Sequence, residues 1–281
     1  IFALLRARKR AKAKKQLAKI DYFRDAPNGG DLNVSYALGL GLKVCTDESY
    51  LAARVLRLVT LGSLEPELEP GKKNRASMRF VREPHNGDPF DEALYTFLQA
   101  AAGADGVLRD SELEDFCCDD RHAKTLSDML ESSGHQGELT LSRTGCLKGN
   151  KCRRAKDLTA RGQQQRDELL GLKRYLLDFS LLAERTVSET VLWQEYMVYA
   201  ALLGIAEQVL EQVRTLYPQQ LSQVERYQRY LHGTNQYNHY LYAAVARQRQ
   251  AAQAARSGGS GGFASLGGGG GFSGGGSVGT R

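Results

Sequence analysis

At 281 residues, with 42% hydrophobic and 25% charged residues, the chain can bury a sizeable core, which excludes a chain unfolded along its whole length. Five cysteines (Cys45, Cys117, Cys118, Cys146 and Cys152) are an odd and scattered set, which argues against a disulfide-stapled secreted domain and for a reducing compartment. The formal charge of +6 permits an anionic partner, but its placement says more than its sum.

Much of that charge lies at the start. After the apolar residues Ile1 to Leu5 come Arg6, Arg8, Lys9, Arg10, Lys12, Lys14 and Lys15, all ahead of the first acid, Asp21. If a membrane helix ends at Leu5 in a longer protein, this cluster faces the cytoplasm and rests on anionic lipid headgroups. A plain solvated helix is the equal alternative, and a basic arm on nucleic acid ranks third. The chain opens on Ile1 with no initiator Met, so it is expected to be a fragment. Residues 1–20 are accordingly assigned as a basic juxtamembrane segment.

The stretch 21–84 is expected to form a winged-helix-like unit. Thr46 caps a helix carrying Leu51, Val55, Leu58 and Val59, which stops at Gly62. Extended runs at Ser63–Leu68 and Ala76–Val81 then flank the turn residues EPGKKN. A second, looser winged-helix-like unit is expected over 85–142, where Asp88 and Pro89 start a helix with Phe90, Leu94, Phe97, Leu98 and Ala101 inward. Helical segments follow near Ser111–Phe116 and Arg121–Ser132, and Glu138–Ser142 reads as a wing strand. Residues 143–162 read as a basic linker.

Residues 163–256 read as a helical domain built on a hairpin. Leu169, Leu172, Leu176 and Phe179 form one stripe. Thr186 and Glu189 have the spacing of a capping box and open a second helix, with Val187, Val191, Tyr196, Tyr199, Leu203, Ala206, Leu210 and Val213 inward and a stop at Pro218. Its densest apolar run, Tyr196 to Ala206 beside the single Trp193, is well short of the roughly 18 to 20 residues of a bilayer span. It is expected to be covered by protein. Gly204 either kinks this helix or admits a close neighbour. A Tyr-rich helical segment follows (Tyr227, Tyr230, Tyr237, Tyr240, Tyr242), and the Gly/Ser-rich residues 257–281 are expected to be disordered.

Candidate chemistry is sparse. Arg54, Arg57, Lys72 and Lys73 are the residues with which a winged helix would touch nucleic acid, but Asp47, Glu48, Glu65, Glu67 and Glu69 crowd the same edge and oppose phosphate. ADGVLRDSELEDF resembles the back half of a calcium loop whose front ligand positions fall on Ala101 and Gly103, leaving only Asp105 and Glu112. Cys117, Cys118, Cys146, Cys152, His122 and His135 lack the paired spacing of zinc sites. No phosphate loop, nucleophile elbow or His-Glu-x-x-His helix is present, and Asp178, Glu184, Glu189 and Glu195 read as caps and solvated positions. No catalytic residue, cofactor or metal is therefore expected.

Three stretches carry a family resemblance: GLKRYLLDFSLLAER (Gly171–Arg185), LWQEYMVYAALLGIAEQV (Leu192–Val209) and, more thinly, YFRDAP (Tyr22–Pro27) followed by a helix and LGSLE. Together with the Gly/Ser/Phe-rich end, they resemble the C-terminal region of the YciQ-like predicted bacterial membrane proteins, a family built around a domain of unknown function. The resemblance implies a signal sequence, an extracytoplasmic domain and a membrane helix, then the cytoplasmic region supplied here. Family members often carry further membrane helices ahead of the Leu-Lys-Arg-Tyr helix, whereas Gly134–Arg161 is short, polar and basic. The family brings no established activity, cofactor or catalytic residue. The expectation is thus a mainly α chain with small hairpins, a non-enzymatic interaction or assembly module for an unidentified protein partner. A membrane-tethered nucleic-acid-binding regulator is the alternative.

Overall fold

A computed structural model describes residues 17–68, 76–178, 190–216 and 221–258. Among them are nine α-helices and one small antiparallel sheet. The basic cluster 6–15, Lys72 and Lys73, Phe179, the Thr186–Glu189 capping pair and the tail from 259 lie outside the described residues.

Helix α1 (Leu32–Leu42) starts at Asp31, whose carboxylate accepts the Asn33 and Val34 N–H groups, and stops where Lys43 turns left-handed at φ 60°. Helix α2 (Asp47–Thr60) opens on the expected Thr46 cap, with the Ser49 hydroxyl answering the Thr46 N–H. Its buried surface is much wider than the expected stripe. Tyr50, Ala53 and Leu56 are buried along with Leu51, Val55, Leu58 and Val59, because α2 is covered on more than one side.

Strands β1 (Leu64–Leu68) and β2 (Ala76–Phe80) pair antiparallel with Leu64 opposite Phe80. The third strand, β3 (Val107–Arg109), sets Leu108 opposite Met78. It comes from beyond residue 85, so stretches assigned to two units build one sheet. Between β2 and β3 runs α3 (Pro89–Ala101), capped by Asp88 with Pro89 in its first turn.

Helix α4 (Asp110–Cys118) is followed by α5 (Asp120–Arg143), and α5 corrects one expectation. Glu138–Ser142 is not a wing strand but the last turns of this helix. Leu139 and Leu141 mimic the two-residue period of a strand. The longer run of buried positions, Ala123, Leu126, Leu130, Ser133, Gly137 and Leu141, keeps the helical period to the end. The basic loop that follows holds its shape through a bridge between Leu147 and Leu158 and buries Cys146 and Cys152.

The C-terminal part comprises α6 (Ala160–Leu177), α7 (Thr190–Leu202), α8 (Ala206–Leu216) and α9 (Leu221–Gly258). The single long helix expected through Val213 is broken between α7 and α8. At Gly204 φ is +67°, and a Cβ there would meet nothing within 4 Å, so the glycine serves the backbone turn and not a close neighbour. Every residue from Tyr196 to Ala206 except Gly204 is buried, as expected. The cover differs from a simple hairpin: α7 touches α6 but packs mainly on α2, and α9 lies along α2 and α5. Tyr227 and Tyr237 of α9 point into the core, and the Tyr237 hydroxyl donates to the Leu108 carbonyl. The Tyr-rich segment therefore closes the fold with these two rings and does not display them.

At the meeting point of α1, α2, α3 and α5 sits Arg54, with its side chain 0% exposed. Its Nη1 donates to Asp88 Oδ2 (2.6 Å) and Asp91 Oδ1 (2.8 Å), its Nε to the Tyr50 hydroxyl (2.9 Å) and its Nη2 to Asn33 Oδ1 (2.5 Å). Ser133 of α5 joins through bonds to Asn33 (2.6 Å) and Tyr50. Burial would lower the Arg54 pKa, but Tyr50, Asp91 and Asp88 outweigh it and hold the guanidinium charged. The two carboxylates respond in opposite directions. Burial pushes the Asp88 pKa up, yet Arg54 and Arg57 bring it below the ordinary value. At Asp91 burial prevails over Arg54 and the pKa rises. Arg54→Met leaves these carboxylates without their main cation and should cost about 3–5 kcal/mol in urea unfolding. Arg54→Lys keeps the charge but not the fork and should recover only part of that loss.

Candidate functional site

The incoming residues 20–26 form neither helix nor strand and make few backbone bonds of their own, so their course is dictated by the helices under them. On α6, Gly171 lets the segment lie directly on the helix, since a Cβ there would come within 2.5 Å of the Asp21 carbonyl oxygen. One turn on, Arg174 Nη1 donates to the Ile20 carbonyl (2.6 Å), and its guanidinium lies 4.2 Å from the centre of the Tyr22 ring. The Tyr22 hydroxyl donates to Asp178 Oδ2 (2.5 Å) at the end of α6. That bond is the main reason the Tyr22 pKa is raised, and it keeps the hydroxyl a donor.

From the other side α7 supplies two more hydroxyls. Tyr196 donates to the Arg24 carbonyl (2.6 Å) and Tyr199 to the Pro27 carbonyl (3.0 Å). Burial pushes the Tyr199 pKa up to about 12, so this donor stays protonated. The Tyr175 ring stands in the centre, edge-on to Tyr22 at 6.5 Å and to Tyr196 at 5.8 Å, with the Arg24 guanidinium 5.4 Å from its own centre. Below, Lys173 Nζ donates to the Leu203 carbonyl (3.0 Å), tying α6 to the break after α7. Burial lowers the Lys173 pKa and raises that of the nearby Cys45 thiol to about 12. The result is a clamp, with side chains from two helices gripping the backbone carbonyls of a third segment. Carbonyl capture is indifferent to the captured side chains, so the clamp fixes position and not chemistry.

The sequence-derived candidates fall elsewhere. Arg54 is not a nucleic-acid contact, because its guanidinium is enclosed by Asn33, Tyr50, Asp88 and Asp91. Arg57 is 25% exposed and directed at Asp91 (3.2 Å) and Asp88 (3.8 Å), which neutralise it as a phosphate ligand. Lys72, Lys73 and the cations Arg6, Arg8, Lys9, Arg10, Lys12, Lys14 and Lys15 lie outside the described residues. Asp105 and Glu112 of the calcium-like stretch bind the Arg109 guanidinium at 2.6 and 3.3 Å. Of the five free cysteines only Cys118 is exposed, and His122 is stacked on Phe116. Among the described residues no group of three or more His, Cys, Asp or Glu is placed to hold a metal ion.

The clamp itself was not visible in the sequence. Its halves were each singled out, as YFRDAP and as the two helical stretches, but some 150 residues separate Tyr22 from Asp178. Residues 146–213, which supply every helical member of the clamp, match the C-terminal domain of the predicted membrane protein family DUF2207. That domain has no known molecular function. No curated protein and no solved structure matches the chain. Among the described residues no helix is long and apolar enough to cross a membrane.

Removing one gripping hydroxyl tests the clamp. Tyr199→Phe deletes the bond to Pro27 and keeps the ring, which should cost about 1 kcal/mol locally. Hydrogen exchange of the amides in 21–31 should then quicken about fivefold, while those of α9 stay unchanged.

Proposed function

We propose that this chain is the cytoplasmic, membrane-proximal part of a bacterial membrane protein and works as a non-catalytic interaction and assembly module. The observation that carries the reading is the clamp. The residues matched to a predicted membrane protein family grip the segment that follows the basic cluster in the sequence. In this reading Arg6, Arg8, Lys9, Arg10, Lys12, Lys14 and Lys15 rest on anionic headgroups, each worth about 1 kcal/mol near such a surface. A rigid grip on backbone suits a part that transmits position. The buried charges Arg54 and Asp91 are paired with each other and tied to Asn33, Tyr50 and Ser133, which supports the reading of a scaffold.

The side of the membrane is tested through the one exposed cysteine. With the intact protein in its native membrane, a membrane-impermeant maleimide should label Cys118 in inverted vesicles and not in right-side-out ones, with Cys118→Ser as the control. The opposite pattern overturns the cytoplasmic placement.

A further inference from the structure

Beside the clamp, a groove of about 910 Å³ runs between the incoming segment, the end of α1 and the outer face of α6. Its apolar wall is made by Leu17, Ile20, Phe23, Leu42, Val44 and Leu170, none of them fully buried. Apolar groups left partly exposed around one concave surface offer a ligand apolar area to cover. At the rim stand two exposed ammonium groups, Lys19 and Lys43, with no ion pair or hydrogen bond among the described residues. The acids nearby are Asp167, bonded to Arg166 at 2.6 Å, Glu168, which accepts from Gln164 at 3.3 Å, and the exposed Asp21.

Lys43 carries a second signal. It occupies the left-handed position that ends α1, where glycine or asparagine is the unstrained choice. A lysine held there at a conformational cost, pointing a free cation at a groove rim, is the pattern of strain kept for a function. The place of the groove in the chain supplies the third argument. Leu17 belongs to its wall and lies only two residues beyond Lys15, so along the chain the groove begins where the basic cluster ends.

We propose that this groove is a lipid-docking site, in which the acyl region of an anionic phospholipid of the adjoining leaflet lies on the apolar wall and its phosphate meets Lys19 and Lys43. An apolar strip edged by cations is the arrangement that settles into the headgroup boundary, the oily part adding attraction that salt does not screen. The inference rests on the membrane-proximal reading above and deepens it.

The test is flotation of the chain with vesicles of phosphatidylglycerol in phosphatidylcholine, against phosphatidylcholine alone, at 0.1 and 0.5 M salt. The wild-type chain should bind the anionic vesicles and keep part of that binding at 0.5 M salt. Val44→Asp should weaken it about tenfold. Lys43→Gly should weaken it about fivefold at 0.1 M salt while leaving Tm equal or higher, which separates lost contact from lost folding. Unchanged binding in Lys43→Gly, or wild-type binding abolished by 0.5 M salt, overturns the groove and leaves the membrane-proximal reading to the basic cluster. No binding to any vesicle overturns both.

Discussion

A buried guanidinium is tolerable only where its charge and most of its donors are answered, and that condition governs the N-terminal half of this protein. Arg54 is answered by the start of α3 through Asp88 and Asp91, by α1 through Asn33 and by its own helix through Tyr50. None of these can shift without leaving a charge or a donor unpaired in the interior. With Ser133 of α5, which bonds Asn33 and Tyr50, four elements are held in one arrangement, and Leu51, Leu94 and Leu126 belong to the apolar core packed around it. The flat ring of Tyr36 stacked 3.9 Å from that of Tyr50 extends the same order toward Asp47, which pairs with Arg249 of the last helix.

The clamp repeats the principle with a different currency of interaction. There the groups to be satisfied are carbonyls of a segment that is neither helix nor strand until Pro27, and hydroxyl and guanidinium donors from α6 and α7 answer them. The two centres are linked through α2, which carries Tyr50 and Arg54 and also covers α7. A displacement of the incoming segment therefore has a continuous packed route to the interior.

Much of the fold could be read directly where the signal was local. Thr46 and Asp88 with Pro89 announced two helix starts, and the Tyr196–Ala206 run announced the most deeply covered helix. The errors share a cause. Arg54 looked like surface because its two carboxylate partners stand 34 and 37 residues away. Glu138–Ser142 looked like a strand because five residues are too few to separate a period of two from a period of 3.6, and the Asp119 cap that commits them to a helix lies nineteen positions upstream of Glu138. The clamp was out of reach for the same reason on a larger scale: carbonyl groups carry no sequence identity, so nothing in YFRDAP announces which hydroxyls will seek it.

The packing of α7 on α2 has a consequence for biosynthesis. At a translation rate of roughly 5–20 residues per second, α2 leaves the ribosome on the order of ten seconds before its cover is made. During that interval the side of α2 that α7 will cover has no permanent shelter, and nascent chains in this state are natural clients of holding chaperones. The matched region 146–213 is thus a late-arriving lid on an early-made helix, and a boundary drawn around it by sequence similarity cuts through the unit that folds.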